Sequence, residues 1–308
     1  MAASHHSPRI LIVRIGAMGD VLHLLISGAA TGAVYALAAL GFTLLWQAAG
    51  VINFAQGEFI MLPAFAMLAA MNFGAPLCLS FVFACALAML VLGAGFKWAV
   101  ADPLLRYGVI PLVIATMGLS TGLRSATKAG YSAQAFPFPS MFPAGQLELG
   151  AVAVSYADIG TLLAAGMIVI ALQMFLDRTL TGRAMQAVAQ NTDAARVLGI
   201  DVRRMILYTF LLNAALAAVA ALLVAPSYLV KFDMGDSIGQ KAFFAAIVGG
   251  FNQTRGALVG GLLIGVLENL VGFYVSPAYK EGVALMLFLG VILFRPEGLL
   301  GKRQERKV

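Results

Sequence analysis

The chain has 308 residues, 61% of them hydrophobic and only 11% charged, far from the quarter charged that a water-soluble domain carries. That composition excludes a soluble globular protein and places the chain in a bilayer. The net charge of +6 is not a nucleic-acid footprint either, because no basic stretch is interleaved with base-stacking aromatics.

An α-helix needs about 20 apolar residues to cross a hydrocarbon core roughly 30 Å thick, and lipid offers no partner to an unpaired backbone group. In chain order, Arg9 to Val13 reads as a short buried strand and Gly16 to Asp20 as a tight glycine turn. Nine apolar runs follow, at about 22–46, 58–73, 75–97, 109–125, 153–176, 205–227, 238–252, 256–275 and 281–295. They predict an all-α, polytopic integral membrane protein with eight or nine transmembrane helices. The second and seventh runs are short and broken by polar residues, so either reads as a partial crossing. The first run, about 25 residues, exceeds a secretory core of 7 to 15 and no cleavage site follows it, so it is expected to stay as a helix. Cys78 and Cys85 share the third run, roughly 10 Å apart along a helix. That is too far for a disulfide, and they read as two small buried apolar side chains.

Basic residues collect on the cytoplasmic side of membrane proteins. Arg178, Arg183, Arg196, Arg203 and Arg204 lie between the fifth and sixth runs, and Arg295, Lys302, Arg303, Arg306 and Lys307 at the tail. Both segments are expected in the cytoplasm. The loop at 126–150, with Lys128 as its base, three prolines and four aromatics, is expected outside, as is the loop at 228–237, where Lys231 meets Asp233 and Asp236. Nine crossings would put the amino terminus outside and the carboxyl terminus inside; eight would put both on one side.

All three histidines, His5, His6 and His23, lie at the amino end, so the membrane body has no imidazole for a proton relay or a metal. GAGFKW at 93–98 has the wrong spacing for a phosphate-binding loop, so the chain is not expected to hydrolyse ATP. No cofactor is implied. Glu58, at the head of the second run, and Glu268, in the middle of the eighth beside Asn269, are read as the ionisable residues within the runs. A carboxylate at depth costs several kcal/mol unless it pairs or meets water, so each is a pathway or a structural candidate. Structurally, Glu58 would lie at the interface and Glu268 would bond a neighbouring helix end. Gly28 with Gly32, Gly256 with Gly260, and Gly261 with Gly265 are spaced four apart, flattening helix faces for close backbone packing.

The stretch LDRTLTGRAMQAVAQNTDAARVLGIDVRRMI, 176–206, is too long for a simple turn. Ala184, Ala187, Ala194 and Ala195 with Val188, Val197 and Leu198 predict one or two short helices outside the membrane, stopped at Gly199. Such a helix suits a groove on another protein or packs on its own bundle, and the pattern alone favours the second.

GRAMQAVAQNTDAARVLGI resembles the ATPase-docking loop of ABC importer permeases of the branched-chain amino-acid uptake family (LivH/LivM type). GAVYALAALGFTLLW looks like that family's first helix, VINFAQGEFIML its second-helix motif and IATMGLS its fourth. GQKAFFAAIVGGFNQTRGALVGGLLIGVLENL resembles its late segment and FRPEGLLG its ending. The likeness runs from about Met18 to Gly301, and Asn53 to Glu58 sides with the LivH type. Gln56 departs from a common histidine and Pro63 from a common glycine; the proline is expected to kink the second helix.

The resemblance implies a permease domain at 18–301 with a basic cytoplasmic tail at 302–308. It implies a second permease subunit of the LivM type, two cytoplasmic ABC ATPases and a periplasmic binding protein that selects the solute, in a bacterial inner membrane. It further implies a docking helix from Arg183 to Ile200, with Arg183, Ala184, Ala187, Ala189, Gln190, Asn191, Ala195, Gly199 and Ile200 as contact candidates. Bulky substitution of Gly199 or Ala195 is expected to uncouple uptake. Asn53, Gln56, Glu58, Glu268 and Asn269 are the candidates for lining the path. The expected mechanism is alternating access driven by ATP. The solutes implied are leucine, isoleucine and valine, with other amino acids, urea or short amides as alternatives. An ion-coupled secondary transporter is the rival from another class.

RILIVRIGAMGDVLH instead resembles the amino terminus of lipopolysaccharide heptosyltransferases, yet nothing of such a domain follows. A foreign graft, chance similarity, and translation from Met18 all fit, and the last is the favoured reading: residues 1–17 are expected to contribute nothing to transport.

Overall fold

The computed structural model describes residues 8–149, 152–251 and 253–301; the basic tail at 302–308 lies outside them. The order is α1 (Pro8–Ala49), α2 (Gln56–Asn72), α3 (Leu77–Ala88), two π-helical segments (Met89–Gly95 and Lys97–Ala101), α4 (Asp102–Leu105) and α5 (Val109–Gly130). A hairpin of β1 (Gln146–Leu149) and β2 (Val152–Ser155) precedes α6 (Tyr156–Arg178), α7 (Leu180–Gln190) and α8 (Thr192–Val197). Then come α9 (Val202–Tyr228), α10 (Met234–Gly249), α11 (Thr254–Tyr274), a 3-10 turn (Pro277–Tyr279) and α12 (Lys280–Phe294).

Among the described residues, seven helical segments are long and apolar enough to cross a membrane. The seventeen residues of α2 and sixteen of α10 fall short of the roughly 20 needed, and these are the two runs whose polar residues marked them as partial. Leu77 to Leu105 is one such span; it passes through π-helical winding at Met89–Gly95 and Lys97–Ala101. There Lys97 pairs at 2.6 Å with Asp102, five residues on, the spacing that a π turn aligns. The helix α2 runs through Pro63 without a break in its assignment.

Two sequence expectations are corrected. The strand at Arg9–Val13 and the turn at Gly16–Asp20 are instead helix, continuous with α1 from Pro8. A lone strand has no neighbour to take its backbone groups, whereas a helix satisfies them internally. Cys78 is exposed rather than buried, with Cys85 half-buried, and both are free thiols.

Two helices form the centre: 67% of the apolar window of α1 and 61% of that of α9 are buried, against 17% for α5 and α6. The small-residue face of α1 explains its place. A Cβ added to Gly28 would sit 2.8 Å from the Cα of Val266, and one on Gly32 2.8 Å from that of Leu262. Gly28 and Gly32 with Gly261 and Gly265 therefore join α1 to α11 backbone against backbone, while Gly256 and Gly260 meet Gly249 and Ala245 of α10, the contact that gives helices adhesion in lipid. The outer helices turn apolar side chains such as Val82, Phe83, Ile110 and Ile114 outward, as a lipid-facing surface requires.

The two ends of the bundle differ. At one, Phe136 and Val230 pair in an antiparallel bridge and Asn72 donates to the Tyr131 hydroxyl, so the two loops expected outside meet. At the other lie α7 and α8, together with the contacts of Leu299 and Leu300 to the end of α10.

Candidate functional site

The first turns of α2 and α10 pack against each other: a Cβ on Gly239 would lie 2.9 Å from the backbone of Gly57. Glycine at these positions lets the two helices start side by side, which places Glu58 and Asp236 on one wall. Neither first turn is capped by a side chain, since the residues before them, Ala55 and Asp233, make no such bond. Backbone carbonyls take several of their amides instead, Asn53 that of Gln56, Ala55 that of Glu58 and Asp233 that of Asp236.

Arg124 of α5 closes the opposite side. Its Nη1 donates to Asp236 Oδ2 at 3.1 Å and its Nη2 to Asp236 Oδ1 at 2.9 Å. The same Nη2 reaches Glu58 Oε1 at 3.2 Å. Glu58 is nearly fully buried, whereas Asp236 is 46% exposed. Arg124 Nε is buried without a hydrogen-bond partner. This cluster faces a cavity of about 430 Å³, within the roughly 300–1,000 Å³ usual for small-molecule sites. Ser120, Thr121 and Gln240 add polar groups, while Phe42, Phe243 and Phe244 form an apolar wall. Phe243 anchors that wall, with ring centroids 5.7 Å from Phe42 and 5.4 Å from Phe54. Two carboxylates about one guanidinium, beside packed aromatic rings, can hold a small solute that carries both charge and hydrocarbon.

Of the five lining candidates read from the sequence, Glu58 faces this cavity. Gln56 is fully buried behind it and exchanges two bonds with Asn213 of α9, at 2.7 and 3.1 Å. Asn53 accepts from the Ala55 amide at 3.0 Å and leaves its Nδ2 buried without a partner. Glu268 belongs to a separate network, in which it pairs with Lys241 and accepts from the Tyr35 hydroxyl at 2.9 Å. Tyr35 in turn bonds the Tyr228 hydroxyl at 2.8 Å. Asn269 lies against Gly28 at the α1–α11 contact. Thus Glu58 is buried within the bundle against Arg124, and Glu268 meets side chains rather than a helix end.

The sequence reading missed Arg124 and Lys241, which also fall inside apolar runs. Each carries the same signal that singled out Glu58 and Glu268, a charge at membrane depth, and each turns out to be the partner of one of them.

At the other end, Thr179 caps α7 by accepting from the Gly182 amide at 2.9 Å, and Asn191 caps α8 through the amides of Asp193 and Ala194. Gly199 then takes a left-handed φ of 81°, which glycine adopts without strain. Ala195 and Val188 are buried with Val202, and Ala187 and Ile200 pack on them. Arg183, Gln190, Asn191 and Gly199 are exposed, with Ala184 and Ala189 half-buried. Leu180, Val197 and Leu198, which the docking candidates omitted, are 86%, 87% and 77% exposed.

Residues 24–292 match the family described as branched-chain amino acid transport system, permease component. The chain is 34% identical to the high-affinity branched-chain amino acid transport system permease protein BraD of Pseudomonas aeruginosa, over 93% of this chain and 98% of that one. It is 32% identical to LivH of Escherichia coli, over 93% and 97%. It is also 27% identical to the autoinducer 2 import system permease protein LsrC of Yersinia enterocolitica, over 88% and 74%. No solved structure matches it. The bundle of apolar spans and the match along nearly its whole length lead to one conclusion: the chain is a multi-pass membrane protein that belongs to the branched-chain amino-acid transport permease family.

Proposed function

We propose that this chain is a translocating subunit of an ATP-driven importer for branched-chain amino acids. It lies in the bacterial inner membrane, beside a second permease subunit of the LivM type. Two cytoplasmic ATPases power it and a periplasmic protein delivers the solute; ATP hydrolysis resides on the partner chains. The observation that carries this reading is the 34% identity to BraD along 93% of the chain. The element α7–α8 supports it: Leu180, Val197 and Leu198 are exposed apolar side chains on short helices between two apolar spans, as a docking element needs. The solute path passes Glu58, Arg124 and Asp236, and Asn53, Gln56, Glu268 and Asn269 hold the helices that wall it. Residues 1–17 play no part in transport, and the permease domain runs from 18 to 301.

The test is a mild-detergent pull-down of the tagged chain from its native membrane, followed by uptake in proteoliposomes. Two ATPases, a second permease and a periplasmic binding protein should co-purify, and uptake of leucine should require ATP. Recovery of the chain alone, with uptake driven by an ion gradient, would replace this reading with a secondary transporter.

A further inference from the structure

We propose that the cavity at Glu58, Arg124 and Asp236 is a binding site for the free α-amino-acid zwitterion, its carboxylate on Arg124 and its ammonium on the two carboxylates. The proposal rests on the importer reading and adds what the permease itself demands of its solute.

Charge carries the argument. Around the cavity one guanidinium faces two carboxylates, a surplus of one negative charge in a wall otherwise lined by aromatic rings and neutral polar groups. A zwitterion brings an ammonium to that surplus and a carboxylate to the guanidinium. Urea or an amide brings neither charge, a simple carboxylic acid adds to the surplus, and a simple amine meets the carboxylates but brings nothing to the guanidinium. Asp236 occupies the guanidinium fork through both oxygens at 2.9 and 3.1 Å, the bidentate geometry an incoming carboxylate would copy. Because Asp236 is half exposed, it can yield that place and turn to the ammonium, while buried Glu58 keeps Arg124 in position. Phe42, Phe54 and Phe243 offer the side chain only apolar surface, so an aliphatic side chain fits and a charged one is left without a partner.

The experiment uses the purified permease–ATPase assembly without its external binding protein, in a Cys78→Ala, Cys85→Ala background. A Thr121→Cys substitution places a reporter thiol on the exposed cavity rim. Maleimide labelling is timed with L-leucine, 4-methylpentanoate, isopentylamine or urea present, in nucleotide-free and ATP-bound assemblies. Leucine is expected to slow labelling at least fivefold in one of these states, and 4-methylpentanoate, isopentylamine and urea less than twofold. Adding Asp236→Asn should remove the leucine effect while the assembly still co-purifies. Equal protection by 4-methylpentanoate, isopentylamine or urea, or none by leucine in either state, overturns the site. ATP-driven leucine uptake by the wild-type assembly is measured alongside. Uptake without protection overturns the cavity assignment alone; absence of amino-acid uptake overturns the importer reading and the cavity assignment with it.

Discussion

Lys241 of α10 and Glu268 of α11 form an ion pair inside the bundle, their side chains 8% and 5% exposed. Tyr35 of α1 lies against both: its hydroxyl donates to Glu268 at 2.9 Å and accepts from Lys241 at 3.4 Å. Three helices thus meet at one polar point. Removing one partner of a buried pair leaves an uncompensated charge, at a cost of about 3–5 kcal/mol, whereas replacing both with apolar groups of similar size is near neutral. Lys241→Met alone should therefore lower the detergent melting temperature sharply, and Lys241→Met with Glu268→Leu should recover most of it. A double variant as unstable as the single would show that the pair is not the unit of stability.

The start of α2 against α10 depends on glycine. A Cβ on Gly57 would run into the backbone of Gly235, and forced overpacking costs roughly 1–3 kcal/mol. Gly57→Ala should lower both melting temperature and uptake, because it pries apart the helices that hold Glu58 and Asp236. Gly118→Ala, where the added group meets nothing within 4 Å, should leave the melting temperature unchanged. Equal effects of the two substitutions would remove the close approach as the cause.

The α7–α8 element separates surface from support. Leu198→Glu, on an exposed position, should cut recovery of the ATPases at least tenfold while stability stays within about 0.5 kcal/mol, as surface changes usually do. Ala195→Leu is expected to lose coupling by another route, since Ala195 is buried against Val188 and Val202 and overpacking costs roughly 1–3 kcal/mol. Gly199→Val should cost about 1–2 kcal/mol by forcing a branched residue into left-handed backbone. Wild-type ATPase recovery with Leu198→Glu would remove this tip from the docking surface.

A chain begun at Met18 is expected to insert and transport like the full chain. Immunoblotting of membranes and leucine uptake check this. Loss of membrane insertion on deleting residues 1–17 would give that segment a part in building the permease.

The sequence by itself determined the membrane class, because 61% hydrophobic content has no soluble solution. It also marked α2 and α10 as short helices of the bundle, through runs broken by polar residues. The glycine spacing in α1 and α11 was legible for the same reason: a four-residue period lies on one helix face whatever the neighbour. It even carried half of each buried ion pair, Glu58 and Glu268. What only the tertiary structure decided was the pairing. Arg124 stands 66 residues from Glu58 and 112 from Asp236, and Gln56 is matched with Asn213 from 157 residues away. Spacing along one helix says nothing of which other helix faces it, because in lipid a charge is placed by its partner rather than by burial alone. The division of the loop at 176–206 into buried Ala195 and exposed Leu198 is likewise a matter of what each side chain packs against.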